Sequence, residues 1–372
     1  MNGSAPQLQA PASDEIEVSL LGPGFGECIV VHLGQGDWMI VDSCIDLNSN
    51  TPAALAYLDR LGVDPAKAVR LIVATHWHDD HVRGLAKVVE ASKSAAFAIT
   101  GAFQVKDFRL LLAPWLANHT ELDCKGLGEI AKLIAISKQR NRSPIPASEN
   151  KMLWERHAGI PAQIRSLSPS DPAVAACIAR LSKMDPGAFS RRLPMIEENH
   201  ASVVLSVEVG SRRMLLGGDL ECRSDRSFGW LAIVDTQKDS GSLKHHVFKI
   251  PHHGSLNGHH EEVWSDLLHP NPHSALTPVV TGKTQLPATR DKDRILALTD
   301  HAYLTAMPRK GKFRYPRDRV VEKTMQEVAR QLWTIPHLQG HVCIRGKHGD
   351  DPSTWIVTCH GAAMHLSQMP DS

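Results

Sequence analysis

The segment "AVRLIVATHWHDDHVRGLAKVVE" constrains this chain more than any other. An apolar, β-rich run at 68–75 stops at four strong metal-ligand side chains, His76, His78, Asp80 and His81. Helical apolar spacing then resumes over 82–92. Such a pattern puts a polar cluster at the C-terminal end of a buried strand, where the chain turns into a helix. In extended chain, side chains two apart point the same way, so His76 and His78 can pinch one cation. Asp80 and His81 lie where the chain turns, and they can face a second position a few ångströms away. Zinc accepts imidazole nitrogen and carboxylate oxygen, and a catalytic zinc site keeps one position open for water. With 21 histidines in 372 residues, an arbitrary pair would read as polar surface. An H-x-H-x-D-H run that closes a strand does not.

The rest of the chain alternates strand and helix signals. Strands are expected at 16–21, 28–33 and 38–42, then a helix over 51–63 with Thr51 at its N-cap and Gly62 as its stop. A hairpin follows at 202–220 with its turn near Gly210, then strands at 245–255 and 274–282 and helices at 290–299 and 322–333. This alternation predicts an α/β sandwich. Residues 1–14, polar and rich in small side chains, read as a disordered leader. Residues 15–372 read as one domain, with a helical insertion at about 93–160 and a C-terminal β-hairpin at about 340–362. The net charge of +1 gives no global field for nucleic acid or membrane. No apolar stretch approaches the ~20 residues of a membrane span. Seven scattered cysteines without a C-x-x-C suit reduced thiols in the cytoplasm.

Other strands end in ligands too. Asp42 closes "MIVDSC", Asp219 closes "RRMLLGGDLE", and His252 and His253 close "KIPHHGS". Together with H-x-H-x-D-H, and in this order, these groups resemble the metallo-β-lactamase superfamily. The resemblance implies an αββα sandwich, two mixed sheets flanked by helices, and two zinc ions, with manganese as the alternative. It implies that Asp219 bridges the metals and that Asp42 is the partner of a ligand rather than a ligand. For the third ligand of the first metal it offers "EENHAS", where Asn199 or His200 can serve, and His200 is the assignment. Of His252 and His253, His252 ends the strand directly and is assigned as ligand, which leaves His253 for substrate. Ser255 is a turn hydroxyl that can meet a phosphate. A narrower resemblance is to the branch containing the metallo-β-lactamase domain of bacterial DNA-uptake (competence) channel proteins. It rests on "GPGFGECIVVHLGQGDWMIVDSC", "NHASVVLSVEV", "FKIPHHGS" and "LPATRDKDRILALTDHAYLTA".

The expected chemistry is hydrolysis by a metal-bound hydroxide, with Asp80 orienting it or accepting its proton. Local charge bears on the substrate. "PRKGKFRYPRDR" sets Arg309, Lys310, Lys312, Arg314 and Arg317 around Phe313 and Tyr315, which suits a phosphate backbone and stacked bases. A solvated basic loop is the competing account of that run. The leading expectation is therefore a phosphodiesterase or nuclease acting on nucleic acid or a nucleotide. Two alternatives stand beside it. One is a lactonase- or thioesterase-type acyl hydrolase. The other is a catalytically idle, metal-bearing subunit that binds nucleic acid, or a partner protein through the insertion.

Overall fold

The computed structural model describes residues 8–23, 26–104, 125–181, 198–241, 243–281, 284–308 and 339–371. Two eight-stranded sheets dominate it, with strands numbered here in chain order. The first sheet runs in the order β19 (Ile356–His360), β18 (Gly340–Lys347), β1 (Glu15–Gly22), β2 (Cys28–His32), β3 (Trp38–Val41), β6 (Val69–Ala74), β7 (Ala96–Thr100) and β8 (Ile145–Ala147). The second runs β20 (Met364–His365), β17 (Ala302–Leu304), β14 (Leu268–Leu276), β13 (His245–Lys249), β12 (Arg212–Leu216), β11 (Leu205–Val209), β10 (Ala162–Ser166) and β9 (Lys151–Arg156). Two small ribbons complete the strands, β4 (Ile45–Asp46) with β5 (Thr51–Pro52) and β15 (Val279–Thr281) with β16 (Thr284–Leu286).

Each sheet is half antiparallel and half parallel. In the first, β3, β6, β7 and β8 are parallel neighbours. In the second, β12, β13, β14 and β17 are. β3, β6 and β7 are buried on both faces, which explains their near-continuous apolar sequences. Alternate side chains separate the layers. Leu71 and Val73 of β6 enter the core between the sheets with Val41, Val207, Met214, Leu216 and Val247. Ile72 faces outward, onto Tyr57, Leu58, Val88 and Leu133 beneath the helices. On the second sheet, Leu215 and Phe248 face Trp230, Val234 and Ile295. Helix, sheet, sheet, helix is the resulting order of layers.

The structure revises several sequence expectations. Residues 8–14, assigned to the leader, are held in place: Leu8 packs on the helix-side core, and the carbonyls of Ser13 and Asp14 accept from Gln35 and His348. The stretch read as a helical insertion supplies β7 and β8 to the first sheet and β9 to the second, besides the helix Lys125–Gln139. Its helical signal at 107–119 lies outside the described residues, as do the helix expected at 322–333 and the basic run from Arg309 to Arg319. The helix expected to start at Thr51 starts at Ala53, because Thr51 and Pro52 pair with β4 first. Among the described residues, no helix is long and apolar enough to cross a membrane.

Candidate metal centre

Parallel strands point their C-terminal ends the same way, so residues that follow them gather at one edge of the sandwich. Asp42 follows β3, His76 to His81 follow β6, Asp219 follows β12, and His252 and His253 follow β13. The edge therefore collects from both sheets the groups that are far apart in sequence.

Asp42 sits in left-handed backbone at φ 59° and is 1 % exposed. Its carboxylate accepts from the Thr75 amide (2.7 Å), the Thr75 hydroxyl (2.6 Å) and His81 Nδ1 (2.8 Å). Burial pushes this carboxyl above its usual range, against the opposing pull of His81 and Thr75. With Nδ1 so engaged, His81 turns Nε2 inward, 3.3 Å from Asp219 Oδ2 and 4.0 Å from Asp80 Oδ2. His76 Nε2 and His78 Nδ1 converge to 2.9 Å, as side chains two apart in extended chain can.

His253 completes the cluster. Its Nδ1 donates to the Thr277 carbonyl at 3.1 Å, leaving Nε2 at 3.5 Å from both Asp80 Oδ2 and Asp219 Oδ2. Such orientation of a ring through its outer nitrogen is what metal-ligating histidines require. His252 does not join. Both residues adopt positive φ, 48° and 53°, so strand alternation ends before them and the second histidine swings inward. His252 instead places Nδ1 3.2 Å from Glu221 and Nε2 3.2 Å from Asn199 Nδ2. Nor does His200 join. Its Nε2 lies 3.4 Å from Glu221, its Nδ1 meets Arg223, and it lines a separate pocket with Cys177, Arg180 and Phe228. Asn199 donates to Glu221 at 3.0 Å and stands beside the centre rather than in its carboxylate–imidazole cluster. The geometry thus sets His200 and His252, the expected ligands, outside the carboxylate–imidazole cluster and His253 inside it, with His252 still lining the cleft.

Sequence reasoning missed three groups. Glu27 and Lys249 form a buried ion pair at 2.5 Å, and Lys249 also reaches Asp219 Oδ1 at 3.5 Å. Glu221 organises Asn199, His200 and His252. The signal was present: Glu27 and Lys249 are charges inside segments otherwise apolar, "FGECIVV" and "HVFKIP".

Charge in the centre is dense. Asp42, Asp80, Asp219 and Glu27 are gathered around Lys249, His81 and His253. Burial pushes Asp80 up, but His81 and His253 outweigh it and hold this carboxyl well below the usual range. Burial lowers both His81 and His253, yet the carboxylates, Asp219 foremost, raise them above the ordinary imidazole value. Four carboxylate or imidazole atoms here, Glu27 Oε1, His81 Nε2, Asp219 Oδ1 and His252 Nδ1, are buried without a hydrogen-bond partner, although Lys249 faces the first and third as an ion pair and Glu221 faces the last. Within each of three triplets, Asp42, His76 and His81, Asp80, His81 and His253, and Glu27, His81 and Asp219, the donor atoms lie within 4.8 Å of one another. Such donor atoms amid buried carboxylates fit divalent cations. Above them opens a cleft of about 670 Å³ with His78, Asp80 and Asp219 at its floor and Ser255, Asn257, Thr284 and Arg290 on its walls.

Residues 21–103 match the model of the metallo-beta-lactamase superfamily. The chain has the metallo-β-lactamase fold. Solved structures similar to it include the metallo-beta-lactamase fold protein YhfI from Bacillus subtilis, at 12% identity over 63% of this chain and 70% of that one, TM-score 0.32. BJP-1, a subclass B3 metallo-beta-lactamase of Bradyrhizobium japonicum, is 11% identical over 65% and 78%, TM-score 0.32. Zn(2+)-bound PqqB from Methylobacterium extorquens is 11% identical over 60% and 56%, TM-score 0.29. No curated protein matches the chain.

Proposed function

We propose that this metallo-β-lactamase fold protein is a metal-dependent hydrolase that cleaves a phosphodiester of a nucleic acid or nucleotide. One observation carries the reading: His76, His78, Asp80, His81, Asp219 and His253 converge from two sheets beneath a cleft, with buried donor atoms left without a hydrogen bond. His76 and His78 are the groups that would hold one ion, Asp80, His81 and His253 a second, with Asp219 between; two zinc ions are expected, manganese being the alternative. Divalent ions supply Lewis acidity and a water of lowered pKa. The protein does the rest. Asp42 and the Thr277 carbonyl fix the tautomers of His81 and His253, so each offers Nε2 to the centre. Asp80, at the floor of the cleft and facing His81 and His253, is placed to orient the attacking water.

The substrate class rests on charge. Arg290 stands on the cleft wall and forms no ion pair among the described residues. An exposed guanidinium beside hydroxyl and amide donors suits an anionic phosphate better than a neutral acyl group. The basic run Arg309–Arg317 and the resemblance to the DNA-uptake branch favour the same class. Purified protein should carry close to two equivalents of metal, measured by elemental analysis. It should turn over bis-p-nitrophenyl phosphate or single-stranded DNA and leave a lactone and nitrocefin untouched. Metal at zero would sink every hydrolase reading, and turnover of the acyl substrates alone would replace the phosphodiester. Arg290→Met should raise KM for the diester severalfold with kcat nearly kept, as loss of a binding contact does.

A further inference from the structure

The two halves of the ligand set come from different sheets. His76, His78, Asp80 and His81 hang from the first, Asp219 and His253 from the second. Something must set the distance between them, and the cleft side is open. On the inner side lies the pair Glu27 and Lys249, 1 % and 2 % exposed. Glu27 belongs to the first sheet's half. Its amide donates to the Asp80 carbonyl at 3.0 Å, and a Cβ at the adjacent Gly26 would collide with that same oxygen. Lys249 belongs to the second. Its ammonium donates to the Gly218 carbonyl at 2.8 Å and stands 3.5 Å from Asp219 Oδ1. The two meet at 2.5 Å, and Thr277, which follows β14, donates to the other Glu27 oxygen at 2.5 Å.

A chain of contacts thus runs from the Asp80 backbone through Glu27 and Lys249 to the Asp219 carboxylate. We propose that the Glu27–Lys249 pair is a clasp that aligns the two halves of the metal centre and orients Asp219, with Lys249 facing Oδ1 so that Oδ2 is presented to His81 and His253. Neither residue is a ligand in this scheme; both act through Asp219 and Asp80 as positioning residues. The alternative role for a buried ion pair is bulk stability, and it is weak, because apolar replacements of similar volume are often neutral or stabilising. Stability and metal binding should therefore separate. The inference rests on the metal-centre reading above.

The test is the double variant Glu27→Leu with Lys249→Met. It removes both charges together, so the net charge near the ions is unchanged and no ion is left buried alone. Zn²⁺ affinity is read by competition with a chromophoric chelator, coordination by the visible spectrum of Co²⁺-loaded protein, and folding by thermal melting without metal. The expected result is melting close to wild type, Zn²⁺ binding at least ~10-fold weaker, and a changed Co²⁺ spectrum. Wild-type affinity and spectrum in the double variant would overturn the clasp. Should that variant not fold, Glu27→Gln serves: it keeps the shape but leaves Lys249 to draw on Asp219 alone, so Zn²⁺ should bind several-fold more weakly, and unchanged binding overturns the proposal. Wild-type protein that takes up neither Zn²⁺ nor Co²⁺ would fail the metal-centre reading itself and the clasp with it, a result distinct from a clasp that fails while wild type binds.

Discussion

Asp42 shows how a residue behind a candidate ligand can orient it. By accepting from Thr75 and His81 it holds the His81 ring with Nε2 inward. Asp42→Ala should therefore weaken metal affinity by about 10–100-fold while leaving every ligand in place. The adjacent histidines give a sharper test. His253→Ala should cost about one equivalent of bound metal, whereas His252→Ala should retain both, since its ring faces Glu221 and Asn199. Equal losses would contradict the geometry. The pH dependence has a defined sign as well. Carboxylates raise His81 and His253 above the ordinary imidazole value, so at neutral pH protons compete with the ions for Nε2. Metal affinity should fall as pH drops from 8 to 6, with protons released on binding, which calorimetry in buffers of different ionisation enthalpy would detect. Here the limit of the sequence is visible. The H-x-H-x-D-H run was legible because its residue types and spacing are dictated by coordination chemistry. The choice between His252 and His253 was not, because it depends on two successive left-handed residues that no side-chain pattern announces.

Elements matter at the opposite end of the strands from the metal centre. Arg212 opens β12 with its side chain fully buried. Its Nε and Nη2 donate to the Lys347 carbonyl at 2.9 and 2.8 Å, Nη1 donates to the Thr354 carbonyl at 2.8 Å, and the guanidinium lies 4.5 Å from the Trp355 ring centroid. One side chain of the second sheet thereby fastens the turn between β18 and β19 of the first. Arg212→Met would remove the donors to those carbonyls, a loss of about 1–3 kcal/mol. The melting temperature should fall by several degrees, and hydrogen exchange should rise first in β18 and β19. Uniform exchange across the molecule would deny Arg212 this local role. At this scale, strands with strong β patterning were legible, and the hairpin at 340–362 among them. β7 and β8 were not: they lie in a stretch dominated by helical periodicity, and a strand of three residues such as Ile145–Ala147 is defined by its neighbour rather than its own sequence.

At the scale of the molecule, several buried histidines lie outside the candidate site and bear on stability in acid. His245 is the clearest. Its Nδ1 donates to the Leu267 carbonyl at 2.9 Å and its Nε2 accepts from Ser206 Oγ at 2.8 Å, so the neutral ring is satisfied at both nitrogens and a second proton would require the hydroxyl to turn. Burial holds its pKa down at about 4. His246, His259 and His273 are likewise lowered to about 4, chiefly by burial. The folded values lie below the ordinary 6.5, so between pH 6.5 and 4 the unfolded chain binds protons that the folded chain excludes. Stability is then fully present above about pH 6.5 and lost as pH falls toward 4, with His245 alone contributing on the order of 3 kcal/mol. Urea denaturation of metal-loaded protein should show a steep loss of stability from pH 7 to pH 5. The same measurement on His245→Gln, whose amide can donate to Leu267 and accept from Ser206 without titrating, should give a shallower slope. An identical slope would mean that His245 is protonated without penalty, and the acid sensitivity would then have to come from other groups, His246, His259 and His273 among them.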